Sequence, residues 1–199
     1  MTAQITDVYK YKDRSYTLVA TEPKLKFDPE EYGFQPEMIS TASWDGYWST
    51  YKIDDEHLVF DELTIKDANN NYPKINDVEP QIDNVVSPKD NKEHPFKAVY
   101  KNINLPIDFT GKILLGDKFI NEYYVHMGYQ SAWAYEDLIE FTFIRGKMLD
   151  KKDLSEFAEK MRESMKKDPQ LTKDLMKGKT EEFINKKFSK KYEDKVWWE

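Results

Sequence analysis

Three histidines, together with nearby acids and tyrosines, are the residues of this chain that could do acid-base chemistry. His126 is the strongest candidate base, because bulky aromatic residues surround it and a partly buried histidine exchanges protons near neutral pH. More often such a histidine only hydrogen-bonds in a core, and no Gly-x-Ser-x-Gly elbow accompanies it. We therefore predict no catalytic residues. A ligand pocket around His126 would be lined by Trp44, Tyr124, His126, Trp133 and Glu140.

Acids near His57 and at residues 67–71 have the types of metal ligands without their spacing. Residues 54–56 precede His57 on a predicted hairpin, where adjacent side chains point to opposite faces. Residues 67–71 match the first half of a calcium loop, but Tyr72 stands where that loop needs a glycine. Residues 178–180 repeat only the end of a P-loop. The sequence thus predicts neither a metal site nor a bound cofactor.

A stronger signal is negative charge concentrated between residues 28 and 67. This window holds eleven acids and two bases, a net charge of −9, whereas the whole chain carries −7. Large aromatic residues are interleaved with the acids, and such a surface can bind a basic protein partner. The residues that we expect at this contact are Trp48, Tyr51, Asp54, Asp55, Glu56 and Asp61.

The bulk composition limits the class of protein. A length of 199 residues allows a real hydrophobic core, and an aromatic content of 15% argues against disorder. The chain has no cysteine, which excludes disulfides and thiolate zinc sites and fits the cytoplasm. Its acidic balance disfavours nucleic acid, and it shows neither a signal peptide nor a span of ~18 apolar residues. We expect a cytoplasmic protein that binds neither nucleic acid nor membrane.

Alternating apolar residues predict strands in the first three quarters of the chain. Residues 8–21 form a hairpin that turns at residues 12–14, and residues 44–65 form a second hairpin with a bulge near Glu62. Proline and asparagine mark residues 67–95 as a loop, which either contains one or two short edge strands around residues 82–86 or is a mobile excursion. Further strands are expected at residues 96–103, 112–120 and 138–144.

From residue 150 the apolar period changes to that of helices. A second helix is expected to begin at Asp168 and Pro169 and a third at Thr180. The apolar stripe of the first helix is Leu154, Phe157, Ala158, Met161 and Met165.

These elements predict an α+β protein with an antiparallel, β-rich body. The body, a sandwich or partly open barrel, covers residues 1–149, and a helical segment at residues 150–199 packs on it. The helical segment carries a net charge of +2 and the body −9. The segment could therefore cover the acidic face of the body instead of leaving it to a partner.

Two segments resemble a signature of uncharacterised bacterial proteins. They are GFxPEMISTAxWxGY at residues 33–47 and YxHMGYQxAWxYE at residues 124–136, followed by ExxFxxGK at residues 140–147. This resemblance implies no activity and no site residues. In size and composition, the chain is also similar to immunity proteins of bacterial toxin systems.

Two functions follow from these patterns. The first is a non-enzymatic protein-binding module, such as an immunity protein that neutralises a basic bacterial toxin through its acidic, aromatic surface. The alternative is a small-molecule-binding β-barrel protein, or an enzyme, with its pocket around His126. The sequence leaves the oligomeric state and the identity of any partner open.

Overall fold

The computed structural model describes residues 2–25, 27–86, 93–126, 128–168 and 189–195. Ten strands form a single sheet, and one long helix follows them. The strands are β1 (Val8–Tyr11), β2 (Arg14–Glu22), β3 (Tyr47–Asp54), β4 (His57–Ile65), β5 (Gln81–Val86), β6 (Glu93–Tyr100), β7 (Leu105–Pro106), β8 (Gly111–Phe119), β9 (Tyr135–Ile144) and β10 (Lys147–Asp153). This architecture confirms the predicted α+β class with a β-rich body.

The sheet is ring-like without being a barrel. Its order is β10-β9-β8-β2-β1-β3-β4-β6-β5, with β7 paired to β4. Strand β10 returns to β4 through one pairing, Lys147 with His57, which brings the two ends of the ring together. The named pairings are antiparallel except for β1 with β3, which run parallel. The predicted antiparallel sheet is thus mixed at one place.

Both predicted hairpins are present. Strands β3 and β4 are joined by Asp55 and Glu56, whose φ values of 44° and 61° are those of a type I′ turn. Thr50 pairs with Glu62 while Tyr51 pairs with Phe60. The residue between these partners is therefore extra on β4, and the bulge predicted near Glu62 is confirmed. The bulge turns the side chain of this extra residue, Asp61, into the protein.

Strand β10 was not predicted. The sequence indicated only a turn at Gly146 before the helix, because residues 147–153 carry five charges and no apolar alternation. Most of the strand is exposed, and it is held by backbone pairing with β9 and a register shift between Met148 and Asp150. Backbone hydrogen bonds, rather than a buried face, make it a strand.

Two apolar clusters form the core. The larger one fills the inside of the ring and contains Tyr9, Phe60 and Phe141. The smaller one lies on the outer side of β8 and β9, beneath helix α1 (Ser155–Lys167). Ala158 and Met165 of the predicted stripe are buried there, which confirms the first helix.

The remaining helical elements among the described residues are short. They are three 3-10 turns at Pro29–Tyr32, Asn121–Tyr123 and Ala132–Ala134, and helix α2 (Tyr192–Lys195). Asp168, where the second helix was expected to begin, is the extended C-cap of helix α1. The rest of the second predicted helix, the third, and the last tryptophans, at residues 197 and 198, lie outside the described residues. No described helix combines the length and the apolar character needed to cross a membrane.

Candidate functional site

The residues predicted to line a pocket around His126 lie in different environments. Trp133 and Glu140 are buried, at 2% and 4% exposed, whereas Trp44 is 51% exposed. Tyr124 and His126 are also exposed, and their rings meet edge to face at 4.8 Å. Tyr124 and His126 therefore meet on the surface, whereas Trp133 and Glu140 lie in the interior.

Glu140 has a structural environment of its own. One carboxylate oxygen accepts a hydrogen bond from the Tyr192 hydroxyl, and the other lies 3.5 Å from Lys112 Nζ. The Lys112 ammonium also lies 5.7 Å from the centre of the Tyr192 ring. Glu140 thus anchors the C-terminal segment to β8 and β9.

The six residues predicted for partner contact divide into two groups. Tyr51 and Asp61 are only 3% and 5% exposed, so their burial removes them from any contact surface. Tyr51 stacks on Tyr9 at 4.9 Å between ring centres. Trp48 is partly buried, with Lys97 Nζ 5.8 Å from its ring. The acids at residues 54–56 remain exposed at the end of the β3–β4 hairpin.

The acidic window does not form one patch, because several of its carboxylates pair with lysines. One of these lysines, Lys10, comes from outside the window, on the neighbouring strand β1. The pairs are Glu37–Lys66 (2.9 Å), Glu62–Lys10 (2.9 Å), Asp61–Lys52 (3.3 Å), Asp61–Lys10 (3.5 Å) and Asp54–Lys52 (3.9 Å). The net charge of residues 28–67, counted along the sequence, does not show these ion pairs.

Asp67, the first residue of the partial calcium loop, is a backbone cap. Its buried carboxylate accepts hydrogen bonds from the N–H groups of Gln35, Asn69 and Asn71, at 2.5, 2.9 and 2.9 Å. These bonds define a tight turn of the Asx type. Across the described residues, no group of three or more histidine or acidic side chains is arranged to hold a metal ion.

The structure instead contains a cavity of about 340 Å³ beside the hairpin, lined by β2, β3, Tyr129 and residues 189–191. We call it the β2–β3 cavity. Tyr47, Ser49 and Tyr51 form one wall, because alternate residues of a strand point to the same face. Leu18 and Thr21 of β2 contribute to the lining as well.

An ion pair lies in the wall of the β2–β3 cavity. Lys190 Nζ lies 3.1 Å from Asp7 Oδ2, and Asp7 Oδ1 accepts the N–H of Ser49 at 2.9 Å. The backbone N–H of Thr21 donates to the carbonyl of Lys190 at 2.8 Å. The C-terminal segment is therefore tied to the sheet at this point by both backbone and side chain.

The surroundings keep the Lys190 ammonium and the hydroxyls of Tyr47 and Tyr129 protonated. Burial alone would lower the pKa of Lys190, but the Asp7 carboxylate and the Tyr129 ring hydroxyl outweigh it and raise the pKa above its ordinary value. Burial, with Asp7 and Asp45, raises the pKa of Tyr47 to about 12. Burial also raises the pKa of Tyr129. The cavity therefore offers hydroxyl and ammonium donors at neutral pH.

Sequence reasoning missed Asp7, Tyr129 and Lys190 as a site. Asp7 and Lys190 are 183 positions apart, so no local pattern links them. The available signal was the alternation of Tyr47, Ser49 and Tyr51, which marks a polar aromatic face on one strand. The other walls of the cavity, from β2, Tyr129 and residues 189–191, cannot be inferred from that strand alone.

Comparisons with known proteins do not assign this chain to a family. A scan against family models, a search of curated proteins and a search of solved structures each gave no match. The function is therefore argued from the geometry of the site.

Proposed function

We propose that this protein binds a small molecule in the β2–β3 cavity. The observation that carries this proposal is the cavity itself: its volume of about 340 Å³ falls within the range of natural ligand sites. Four aromatic and three aliphatic side chains line it together with eight charged or hydroxyl-bearing residues. That combination buries a ligand and fixes its orientation.

The arrangement favours binding over catalysis. Asp7 is held between the Ser49 amide and the Lys190 ammonium, so its two oxygens already have partners. The raised pKa values of Tyr47 and Tyr129 keep their hydroxyls protonated at neutral pH. A general base would need a group poised to take up a proton near neutrality. The tyrosines of this cavity serve instead as hydrogen-bonding groups.

The test is a ligand screen with variants that fill the cavity. A set of small cationic, anionic and neutral ring compounds is screened against the full chain by saturation-transfer NMR. Ser49→Leu adds bulk on the β3 wall and Leu25→Trp adds it on another side of the cavity. Ser15→Leu is the matched control, because Ser15 is exposed on β2 and does not line the cavity.

Compounds that bind wild type and the Ser15→Leu variant should lose their signal with both cavity-filling variants. Thermal unfolding of each variant establishes that it is folded. Because the two cavity-filling changes lie on separate walls, the test can still be made if one of the two variants does not fold. If no compound of any charge class binds, or if binding survives both filled cavities, the proposal is wrong.

A second candidate function is capture of a basic protein partner, such as a toxin, in the cytoplasm. It is favoured by the exposed acids at residues 54–56, since Asp55 and Glu56 have no cation within ion-pair distance among the described residues. Trp48 lies on the same hairpin. Complementary charge would speed association with such a partner.

Charge reversal tests this second candidate. Asp54→Lys, Asp55→Lys and Glu56→Lys together should abolish co-purification with the basic product of a neighbouring gene. The matched control reverses three exposed acids elsewhere, at Asp108, Glu122 and Glu136. Capture that survives the hairpin triple variant, or is lost equally in the control, contradicts an acidic hairpin interface.

A further inference from the structure

We infer that the ligand of the β2–β3 cavity is an organic cation, and that the Lys190 ammonium occupies the place of this cation when the ligand is absent. The inference rests on the proposed function and names the chemical class of the ligand. Three features support it: the aromatic lining, the carboxylates, and the position of Lys190 itself.

Aromatic rings make up much of the cavity wall. Phe27, Tyr47, Tyr51 and Tyr129 all line it. The face of an aromatic ring carries partial negative charge and attracts ammonium groups, which is how sites lined by several rings recognise quaternary amines. Phe27 stacks on Phe60 and Tyr32, and Tyr51 stacks on Tyr9, so the faces of these rings are partly covered. Tyr129 presents its face to an ammonium group, with Lys190 Nζ 4.8 Å from the ring centre, and this face favours a cationic, partly apolar ligand over an anion.

Two carboxylates add to this preference. Asp7 and Asp45 both line the cavity. After burial, they are the groups that contribute most to raising the pKa of the Tyr47 hydroxyl, while Lys190 opposes them. At Tyr47 the two carboxylates therefore outweigh Lys190, whereas at Tyr129, which Lys190 contacts directly, Lys190 contributes more than either carboxylate.

Lys190 shows where a cation fits. Its Nζ lies 3.1 Å from Asp7 Oδ2 and 4.8 Å from the centre of the Tyr129 ring. The buried Lys195 ammonium approaches the same ring at 5.9 Å and donates to the Tyr129 carbonyl at 3.2 Å. One ring thus serves two ammonium groups, and a ligand amine would compete with Lys190 for Asp7 and Tyr129.

Lys24 and Lys191 also line the cavity and would favour an anion. Both side chains are exposed, as is Asp45, so water and salt screen these three charges more than those of the partly enclosed Asp7 and Lys190. Their influence is greatest at the rim, whereas Asp7 and Tyr129 act at the partly enclosed ion pair. An anion at the rim is therefore the rival outcome that the experiment must detect.

The experiment titrates the full-length chain with choline, with its neutral isostere 3,3-dimethylbutan-1-ol, and with acetate. Binding is followed by NMR through the Ser49 amide, which donates to Asp7 and so reports on this carboxylate. Lys190→Met removes the internal cation, and Asp45→Asn and Tyr129→Leu weaken the site. Lys101→Met is the control, because it removes the same charge at an exposed position outside the cavity lining.

Choline should bind wild type in the millimolar range and Lys190→Met at least about tenfold more tightly, since the competing ammonium is gone. Asp45→Asn and Tyr129→Leu should weaken binding, and Lys101→Met should leave it unchanged. If Lys190→Met fails to fold, Lys190→Gln replaces it, with folding checked by thermal unfolding.

Equal binding of choline and its neutral isostere would overturn the cation assignment. So would unchanged choline affinity in both Lys190 variants, or binding of acetate in preference to choline. In these cases the cavity still binds ligands and the proposed function stands. The proposed function fails as well only if the ligand screen finds no binder of any class, or if binding survives both cavity-filling variants.

Discussion

The β3–β4 hairpin and the β2–β3 cavity beside it use carboxylates in opposite ways. On the hairpin, Asp54 is 70% exposed in its side chain and 3.9 Å from Lys52, so water competes for both charges. In the cavity, the side chains of Asp7 and Lys190 are 17% and 22% exposed and 3.1 Å apart. The hairpin has more acids, but the charges interact more strongly in the cavity, because less water surrounds them.

The largest expected effect compares the coupling of these two ion pairs. A double-mutant cycle with Asp7→Asn and Lys190→Met should give a coupling energy of about 2 kcal/mol, because each single change leaves a mostly buried charge without its partner. The same cycle with Asp54→Asn and Lys52→Met should give less than about 0.5 kcal/mol. Urea unfolding measures both, and equal couplings would contradict the contrast between the two regions.

A second prediction concerns Asp61, the one acid of the hairpin that is buried. Asp61→Asn should lower the free energy of unfolding by about 1–2 kcal/mol, since Lys10 and Lys52 lose their shared, desolvated partner. Glu62→Gln is the matched control. Its side chain is 33% exposed, and the change should cost about 0.5 kcal/mol. A control as costly as Asp61→Asn would show that burial at the bulge is unimportant.

The pH dependence of stability should identify the enclosed region. The pKa of Tyr47 is about 12 in the folded protein and ordinarily 10.0. The folded state therefore keeps a proton that the unfolded chain loses between these values. The contribution of Tyr47 to stability should be complete below pH 10 and fall by about 1 kcal/mol as the pH rises to 12, once solvent screening is included. Other tyrosines with raised pKa values, such as Tyr51 and Tyr129, add to the total decline.

Tyr47→Phe should make the alkaline loss of stability smaller by about 1 kcal/mol, as measured by urea unfolding at several pH values. Tyr32→Phe is the control at another partly buried tyrosine that stacks on Phe27 outside the β3 wall. An identical loss of stability in wild type and Tyr47→Phe would contradict a raised pKa of Tyr47 as a cause of the decline.

The smallest expected effect lies in the hairpin turn. Asp55 and Glu56 both have positive φ, and a type I′ turn prefers asparagine followed by glycine. Asp55→Asn with Glu56→Gly should therefore stabilise the protein by about 0.5 kcal/mol. Thermal unfolding measures it. A clear loss of stability would mean that the two acids contribute to the fold, which their exposure argues against.

The hairpins and the first helix could be predicted because their signals are local. Alternation marks β1 to β4, and Leu154 to Met165 keep the helical period. Strand β10 could not be predicted, since its charged residues bury no face. The parallel pairing of β1 with β3 depends on where β2 and β8 lie, and that is a property of the whole sheet.

The candidate site was less predictable than the fold for the same reason. The sequence emphasised a dense run of acids, but strand pairing brought lysines such as Lys10 beside them. It also emphasised Tyr51 and Asp61, which the alternation and the bulge turn inward. The Asp7–Lys190 pair depends on the final position of the C-terminal segment, which no local pattern records.

The separation of 183 residues between Asp7 and Lys190 also orders events during synthesis. A ribosome adds about 5–20 residues per second, so residue 190 follows residue 49 on the order of ten seconds later. Until then the wall formed by residues 189–191 does not exist, and the faces of β2 and β3 that line the cavity stay open on that side. The cavity of the nascent chain is thus open on a side that the finished protein covers with Lys190.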